Sequence, residues 1–273
     1  MDWADGFAQG TPPQDAQGDS AILSLQYVEA LRYGAEIEAA LGDKELAKED
    51  ATNAAAISAA VYKLCWSSEY GMLADTPEKN TFSQHTNAFA VWLDVLPKAD
   101  QKAVMQKVMS VSDPAFTASK VAPASYYYRF YLARALVHAG LGNRYLETLG
   151  PWRTMISNGL TTWAEQPEPT RSDSHAWSSH PNYDLLTIVA GITPSSPGFR
   201  TVHVEPRLGT LKTIQATMPT PQGDVTVSVD SAEGKTSATV GLPNGVTGVF
   251  TWNGQDYPLT AGSRQLSLPE PTR

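Results

Sequence analysis

Ahead of the segment TPSSPGF, Thr193 to Phe199, apolar residues return every three or four positions; beyond it they return at every second position. This change of period constrains the fold more than any other feature, because side chains share a face every 3.6 residues in a helix and every two in a strand. The first stretch must bury its apolar side chains as packed helices and the second as a sheet. We place the boundary near residue 195, giving a helical domain over 1–194 and a strand domain over 195–273. A chain of 273 residues has room for one large domain and a small appendage.

In the helical part the spacing predicts pairs. Ile22, Leu23, Leu25, Tyr27, Val28, Leu31, Ile37 and Leu41 recur at helical spacing in a helix from Asp19 to about Leu41, with Asp19 or Ser20 as its N-cap and Gly42 as a natural stop. A second, Ala-rich helix runs from about Lys44 to Trp66, completing an antiparallel hairpin. Thr81 to Leu96 and Ala99 to Ser110 make a second pair, separated by Pro97. Ala124 to Gly140 and Asn143 to Gly159 make a third, kinked or restarted at Pro151, and a last helix covers Pro181 to Ala190. Successive hairpins of this kind predict an α/α toroid rather than a four-helix bundle. After the boundary, TVHVEP, TIQATMP, DVTVSVD, TSATVGL, TGVFTWN and RQLSLPE alternate, with turns at Gln222-Gly223, Glu233-Gly234, Asn244-Gly245 and Asn253-Gly254. They predict an antiparallel β-sandwich.

Composition narrows the partners. The net charge of −8 and the lack of a basic run argue against nucleic acid or an anionic membrane surface. Cys65 is the only cysteine, so neither an intrachain disulfide nor a thiolate zinc cluster can form. No stretch of about 18 apolar residues occurs, and no signal peptide precedes the first helix. The opening MDWADGFAQGTPPQDAQGDS reads as the interior of a longer protein, which leaves the compartment open.

Chemistry concentrates in the loop GLTTWAEQPEPTRSDSHAWSSHPNY, Gly159 to Tyr183. Its acids are Glu165, Glu168 and Asp173. A carboxylate beside Trp163 in a partly desolvated loop suits general acid or base work in glycoside hydrolysis, with His175 and Trp177 supplying a hydrogen bond and a stacking face. The plain alternative is a solvated loop acid and a histidine that caps the next segment. Metal binding by Asp173, His175 and His180 is disfavoured, because a Pro-broken H-x4-H cannot hold both imidazoles on one helical face. A serine nucleophile at Ser172, Ser174 or Ser178 lacks the G-x-S-x-G elbow. Elsewhere, Asp2, Trp3 and Asp5 precede the first helix, and Gln84 and His85 open another, Gln84 reading as a buried tie between helices. The run Tyr126, Tyr127, Tyr128, Phe130 and Tyr131 is read as core with some rings lining a cavity.

The stretches DW, GTPPQDAQGDSAILSLQYVEAL, GMLADTPEKNTFSQHTNAFAV, the Gly159 loop continued to DLLTIVAGI, and SPGFRTVHVEPRLGTLKTIQATMPTPQGDVTV resemble, in that order, the C-terminal part of bacterial α-L-rhamnosidases. The resemblance covers nearly the whole chain. It implies part of an (α/α)6 barrel followed by a C-terminal β-sandwich, and hydrolysis of terminal α-L-rhamnose with inversion, without metal or cofactor. The family's base follows paired threonines in T-T-x-W-E. Here Thr161, Thr162, Trp163, Ala164 and Glu165 keep the glutamate's distance while the tryptophan moves by one, so Glu165 is the implied catalytic base. His175, Trp177 and Trp163 fall around the implied sugar subsite, and Asp2 and Trp3, which match the family's DW loop, are further implied substrate-binding residues. A segment like D-x-P-x-R-E-R-x-G-W-T-G-D, which holds the general acid in those enzymes, does not occur in this sequence. The expected partner is a rhamnose-containing glycoside. A non-catalytic carbohydrate-binding module and a six-hairpin glycosidase for another sugar are the alternatives, and an open half-barrel is expected to self-associate through its uncovered apolar faces.

Overall fold

A computed structural model describes residues 2–4, 6–110, 121–232 and 234–271. The chain forms two compact units, Met1–Gly140 and Leu141–Arg273.

The first unit opens with a long hairpin of helices α1 (Ala21–Leu41) and α2 (Lys44–Cys65). Two residues turn the chain between them. Gly42 takes φ +97°, its N–H reaching Ala39 O while the N–H of Asp43 reaches Glu38 O at 2.9 Å, so the last carbonyls of α1 are satisfied. The Asp43 carboxylate then accepts from Leu46 N at 3.1 Å and caps α2. At the start of α1 the expected cap is different in kind: Ser20 sits at the N-cap position without a side-chain bond, and Ala21 N donates to Asp75 O at 2.8 Å instead. Of the eight apolar positions in the helical pattern, Ile22, Leu25, Val28 and Leu31 are buried, whereas Leu23, Tyr27, Ile37 and Leu41 are exposed.

Short ladders follow: β1 (Trp66–Ser67) pairs with β2 (Met72–Leu73), and β3 (Phe82–Ser83) runs parallel to β4 (Val121–Ala122). Between the members of the second ladder lie α3 (Gln84–Trp92), buried from Gln84 to Val91, and α4 (Lys98–Met109). Helix α5 (Arg129–His138) starts later than Ala124, because Tyr126 to Tyr128 form a turn. That turn sends Tyr128 into the core, where its ring lies 5.7 Å from Phe89 and 4.2 Å from His85. Of the aromatic run, Tyr126 and Tyr128 are core, whereas Tyr127, Phe130 and Tyr131 are half-buried.

The second unit begins with a 3-10 segment, Gly142–Leu149, and restarts as α6 (Gly150–Ser157) with Pro151 in its first turn, where a missing N–H costs nothing. The Gly159 loop leads to α7 (His180–Asp184), which continues as a π-helical turn, Leu185–Val189. Strands β5 (Ile192–Pro194), β6 (Thr201–Val204), β10 (Thr247–Trp252) and β11 (Gln255–Leu259) form one sheet in the order β11-β10-β6-β5. Strands β7 (Thr213–Thr220), β8 (Gly223–Ala232), β9 (Lys235–Leu242) and β12 (Gly262–Leu268) form the other, ordered β12-β9-β8-β7. Pairing is antiparallel except between β6 and β10. Val225, Val227, Val229, Ala238, Val240, Phe250 and Trp252 fill the core between them. Asn253 and Gly254, both at positive φ, make the two-residue hairpin between Trp252 and Gln255. The predicted turn at Glu233 lies outside the described residues. The change from helix to strand falls at β5, whereas the compact units divide at Gly140, so α6 and α7 belong to the unit that carries the sheets. Among the described residues no helix is long and apolar enough to cross a membrane.

Candidate active site

Helix α6 ends in a left-handed Gly159, with Leu160 N bonded to Met155 O at 3.1 Å, and the chain then folds back on itself. Glu165 N donates to Ser172 O at 2.9 Å and His175 N to Trp163 O at 2.8 Å, so residues 163–165 run beside 172–175. The Thr162 hydroxyl adds a bond to Asp173 O, and the Thr170 hydroxyl one to Ser172 O at 3.0 Å. With Ala164 buried beneath it, this frame fixes the Glu165 backbone.

The Glu165 side chain is only 3% exposed although it sits on a loop. Arg171 grips it from the returning strand: Nε donates to Oε2 at 3.1 Å and Nη2 to Oε1. The Arg171 bond holds the Glu165 carboxyl below the ordinary carboxylate range; burial works in the other direction, and the nearby His175 adds a smaller lowering. Glu165 is consequently an anion at neutral pH. The Trp177 indole N–H reaches Glu165 O at 3.4 Å, and the rings of Trp177 and His175 lie 4.3 Å apart. Trp163, His175 and Trp177 are all half-buried. The loop therefore brings four of the expected residues together: Glu165, Trp163, His175 and Trp177. This arrangement can accept a proton from a water, donate a hydrogen bond and stack against a pyranose ring.

His180 does not share in this group. Its Nδ1 lies 2.6 Å from Asp184 Oδ2, which also accepts from Tyr145 OH at 3.2 Å, and its ring packs edge-on against Trp152. The two loop histidines thus have different partners, and no group of three or more His, Cys, Asp or Glu among the described residues could hold a metal ion.

The first unit places Asp2 and Trp3. Asp2 is 2% exposed. Its Oδ2 lies 2.5 Å from His85 Nε2 and accepts from Ser125 N at 3.3 Å, while Oδ1 takes the Ser125 hydroxyl and Trp3 N. Burial raises its pKa, but the bonds from His85 and Ser125 outweigh it and hold the carboxyl below the usual range. Both Asp2 oxygens are occupied by protein. Trp3, by contrast, is 56% exposed, with its indole lying over Gly10. Asp5 lies outside the described residues. Gln84 ties the end of α4 to the segment after β4, donating to Val108 O at 2.7 Å and accepting from Ala124 N at 2.8 Å.

Two residues carry no sequence signal of their own. Asp75 is buried and accepts from Ser83 Oγ at 2.6 Å and Thr86 Oγ1 at 2.5 Å, with burial raising its pKa. Arg171 belongs to the loop, yet only the fold-back shows it to be the partner of Glu165.

Comparison with known proteins finds similarity in sequence at the C-terminal end and in fold over most of the chain. Residues 191–267 match the profile of the bacterial alpha-L-rhamnosidase C-terminal domain. The fold is similar to that of a GH78-family rhamnosidase of Bacillus sp. GL1, with a TM-score of 0.78 and 24% identity over 92% of this chain and 27% of that one. An alpha-L-rhamnosidase from Dictyoglumus thermophilum aligns with a TM-score of 0.77 and 16% identity over 90% of this chain and 31% of that one. The Streptomyces avermitilis alpha-L-rhamnosidase, solved in complex with L-rhamnose, aligns with a TM-score of 0.72 and 17% identity over 91% of this chain and 26% of that one. The chain thus spans less than a third of the length of each of these structures, and at such identities the likeness is one of fold. No curated protein sequence matches the chain.

Proposed function

We propose that this chain, a rhamnosidase-related protein with the fold of an α-L-rhamnosidase C-terminal portion, supplies the general base that hydrolyses terminal α-L-rhamnose with inversion. The observation that carries the proposal is Glu165: an ionised carboxylate, withdrawn from solvent on a rigid loop and flanked by Trp163, His175 and Trp177. A base of this kind draws a proton from water as the water attacks the anomeric carbon. His175 then holds a sugar hydroxyl, and Trp177 and Trp163 offer ring faces. In the first unit Trp3 is a further aromatic face for a sugar. Asp2, whose oxygens are both occupied, serves by fixing the Trp3 segment.

Inversion needs a second carboxyl group, an acid about 6.5–9.5 Å from the base, to protonate the leaving oxygen. We place that acid outside these 273 residues, since the sequence lacks the acid-bearing segment expected of rhamnosidases. On this reading residues 1–194 are part of an (α/α)6 toroid, residues 195–273 are its C-terminal sandwich, and the partner is a rhamnose-containing glycoside.

The test is release of nitrophenol from nitrophenyl α-L-rhamnoside by this chain and by a form extended with the acid-bearing segment. The extended form should turn over and lose at least about a hundredfold in kcat on Glu165→Gln, the usual range for a lost general base being about 10²–10⁴. Full activity of the Glu165→Gln variant would remove Glu165 from the reaction, and turnover by the 273-residue chain alone would show that the acid lies within it. Calorimetric binding of rhamnose without turnover in either form would identify a carbohydrate-binding module instead.

A further inference from the structure

General base catalysis would engage the Glu165 carboxylate, whose partner Arg171 takes no part in that proton transfer. Arg171 makes a two-point contact, Nε on one oxygen and Nη2 on the other, the geometry in which a guanidinium matches a carboxylate. The two members differ sharply in exposure, with the Arg171 side chain 67% exposed and that of Glu165 3%. The guanidinium therefore lies on the solvent side of the carboxylate. A base must come within hydrogen-bonding distance of the water it activates. Here both oxygens already accept from Arg171, and neither faces bulk water. Glu165 itself has little freedom to move, because its N–H is bonded to Ser172 O and its carbonyl accepts from Trp177 Nε1. Arg171, 67% exposed, is the member of the pair that borders solvent.

We infer that Arg171 is a latch on Glu165: in the sugar-free loop it caps the carboxylate, and it swings out into solvent when a sugar and its attacking water take its place. The inference rests on the reading of Glu165 as the base. It gives the ion pair two functions. Closed, the latch keeps Glu165 ionised against the effect of burial. Opened, it withdraws the positive charge, and the carboxylate becomes the stronger base as the water arrives. Arg171 in this role is a positioning residue, since it acts through Glu165 and leaves the site before the reaction.

Carbodiimide coupling of a small amine to carboxyl groups, mapped by peptide mass, reads the latch directly and requires no turnover. In the wild-type chain Glu165 should label more slowly than Glu168, an exposed acid of the same loop. In Arg171→Gln the Glu165 rate should rise about two- to fivefold, the population change expected when a partly exposed ion pair is lost, and the pH midpoint of its labelling should move up. Glu168 should keep its rate. Arg171→Lys retains the charge without the fork and should fall between the two. A Glu165 rate unchanged in Arg171→Gln, with the Trp163 and Trp177 indole N–H resonances in place, would overturn the latch. Should Arg171→Gln disorder the loop, Arg171→Lys decides, and a wild-type Glu165 rate in that variant sinks the proposal. Saturating L-rhamnose separates the two readings. Protection of Glu165 by the sugar supports the base assignment, whereas labelling indifferent to sugar removes Glu165 from the sugar site and, with it, the sugar-driven opening of the latch, leaving only the ion pair.

Discussion

Asp2 Oδ2 lies 2.5 Å from His85 Nε2 with both side chains out of solvent, so the segment ahead of α1 is bound to α3 by one buried pair. The His85 ring is held between Phe7 at 4.7 Å and Tyr128 at 4.2 Å, and its Nδ1 has no hydrogen-bond partner among the described residues. Asp2→Ala should therefore cost about 3 kcal/mol, since removing one member of a buried pair strands the other. The sign of the pH effect follows from a folded Asp2 pKa below its ordinary value. The stabilisation is complete above the unfolded pKa of about 3.9 and disappears as pH falls through the lower folded value. Urea midpoints of wild type and variant should differ at pH 7 and converge in acid. Equal midpoints at pH 7 would show the pair to be dispensable.

The parts of this structure that were legible in the sequence are those set by neighbours in sequence. The end of α1 follows from Gly42, and the β10–β11 hairpin from Asn253-Gly254, whereas the Asp43 cap of α2 emerged only in the structure. The two-residue ladders left no periodicity to read. The parallel β6–β10 pair joins segments more than forty residues apart, and no local pattern encodes such a choice. In the loop, Glu165, His175 and the tryptophans were legible by type and motif. The pairing of Glu165 with Arg171, six positions on, required the fold-back at Glu165 N–Ser172 O. Asp75 was missed for the same reason, since its partners Ser83 and Thr86 reach it only once α3 has packed.

Gly191 should be irreplaceable. It holds φ +72°, and a Cβ there would come 2.1 Å from the Glu205 carbonyl carbon and oxygen, where the chain bonds Glu205 N to Gly191 O. Gly245 also has positive φ, +81°, but faces open space. Gly245→Ala should cost only the left-handed backbone penalty of about 1–2 kcal/mol. Gly191→Ala should cost at least about 3 kcal/mol, because β5 and β6 must also separate. Thermal melts of the two variants side by side decide the matter, and equal losses would refute the close approach.

Cys65 is buried at the end of α2, where burial pushes its thiol up to about 11. The thiolate is the reactive form. At pH 8 the native chain should react with a thiol-specific disulfide reagent at least about tenfold more slowly than the urea-unfolded chain. Rapid stoichiometric labelling of the native chain would show that Cys65 reaches solvent.

Part of the α1 surface stays exposed. Leu23, Tyr27, Ile37 and Leu41 are exposed on the side opposite the buried Ile22, Leu25, Val28 and Leu31, while Gly34 among them faces Asp50 of α2. Four large apolar side chains contribute about 1.5–3 kcal/mol each when fully covered, against an association cost of about 4–15 kcal/mol. That balance favours weak, concentration-dependent self-association over a tight dimer. Sedimentation velocity should show an average mass that rises with concentration, and the Tyr27→Glu, Ile37→Glu double variant should return the chain to a monomer without shifting its melting temperature by more than a few degrees. A wild-type chain that sediments as a monomer at every accessible concentration would mean that these exposed side chains are tolerated in water and that nothing in this chain recruits a second copy to cover them.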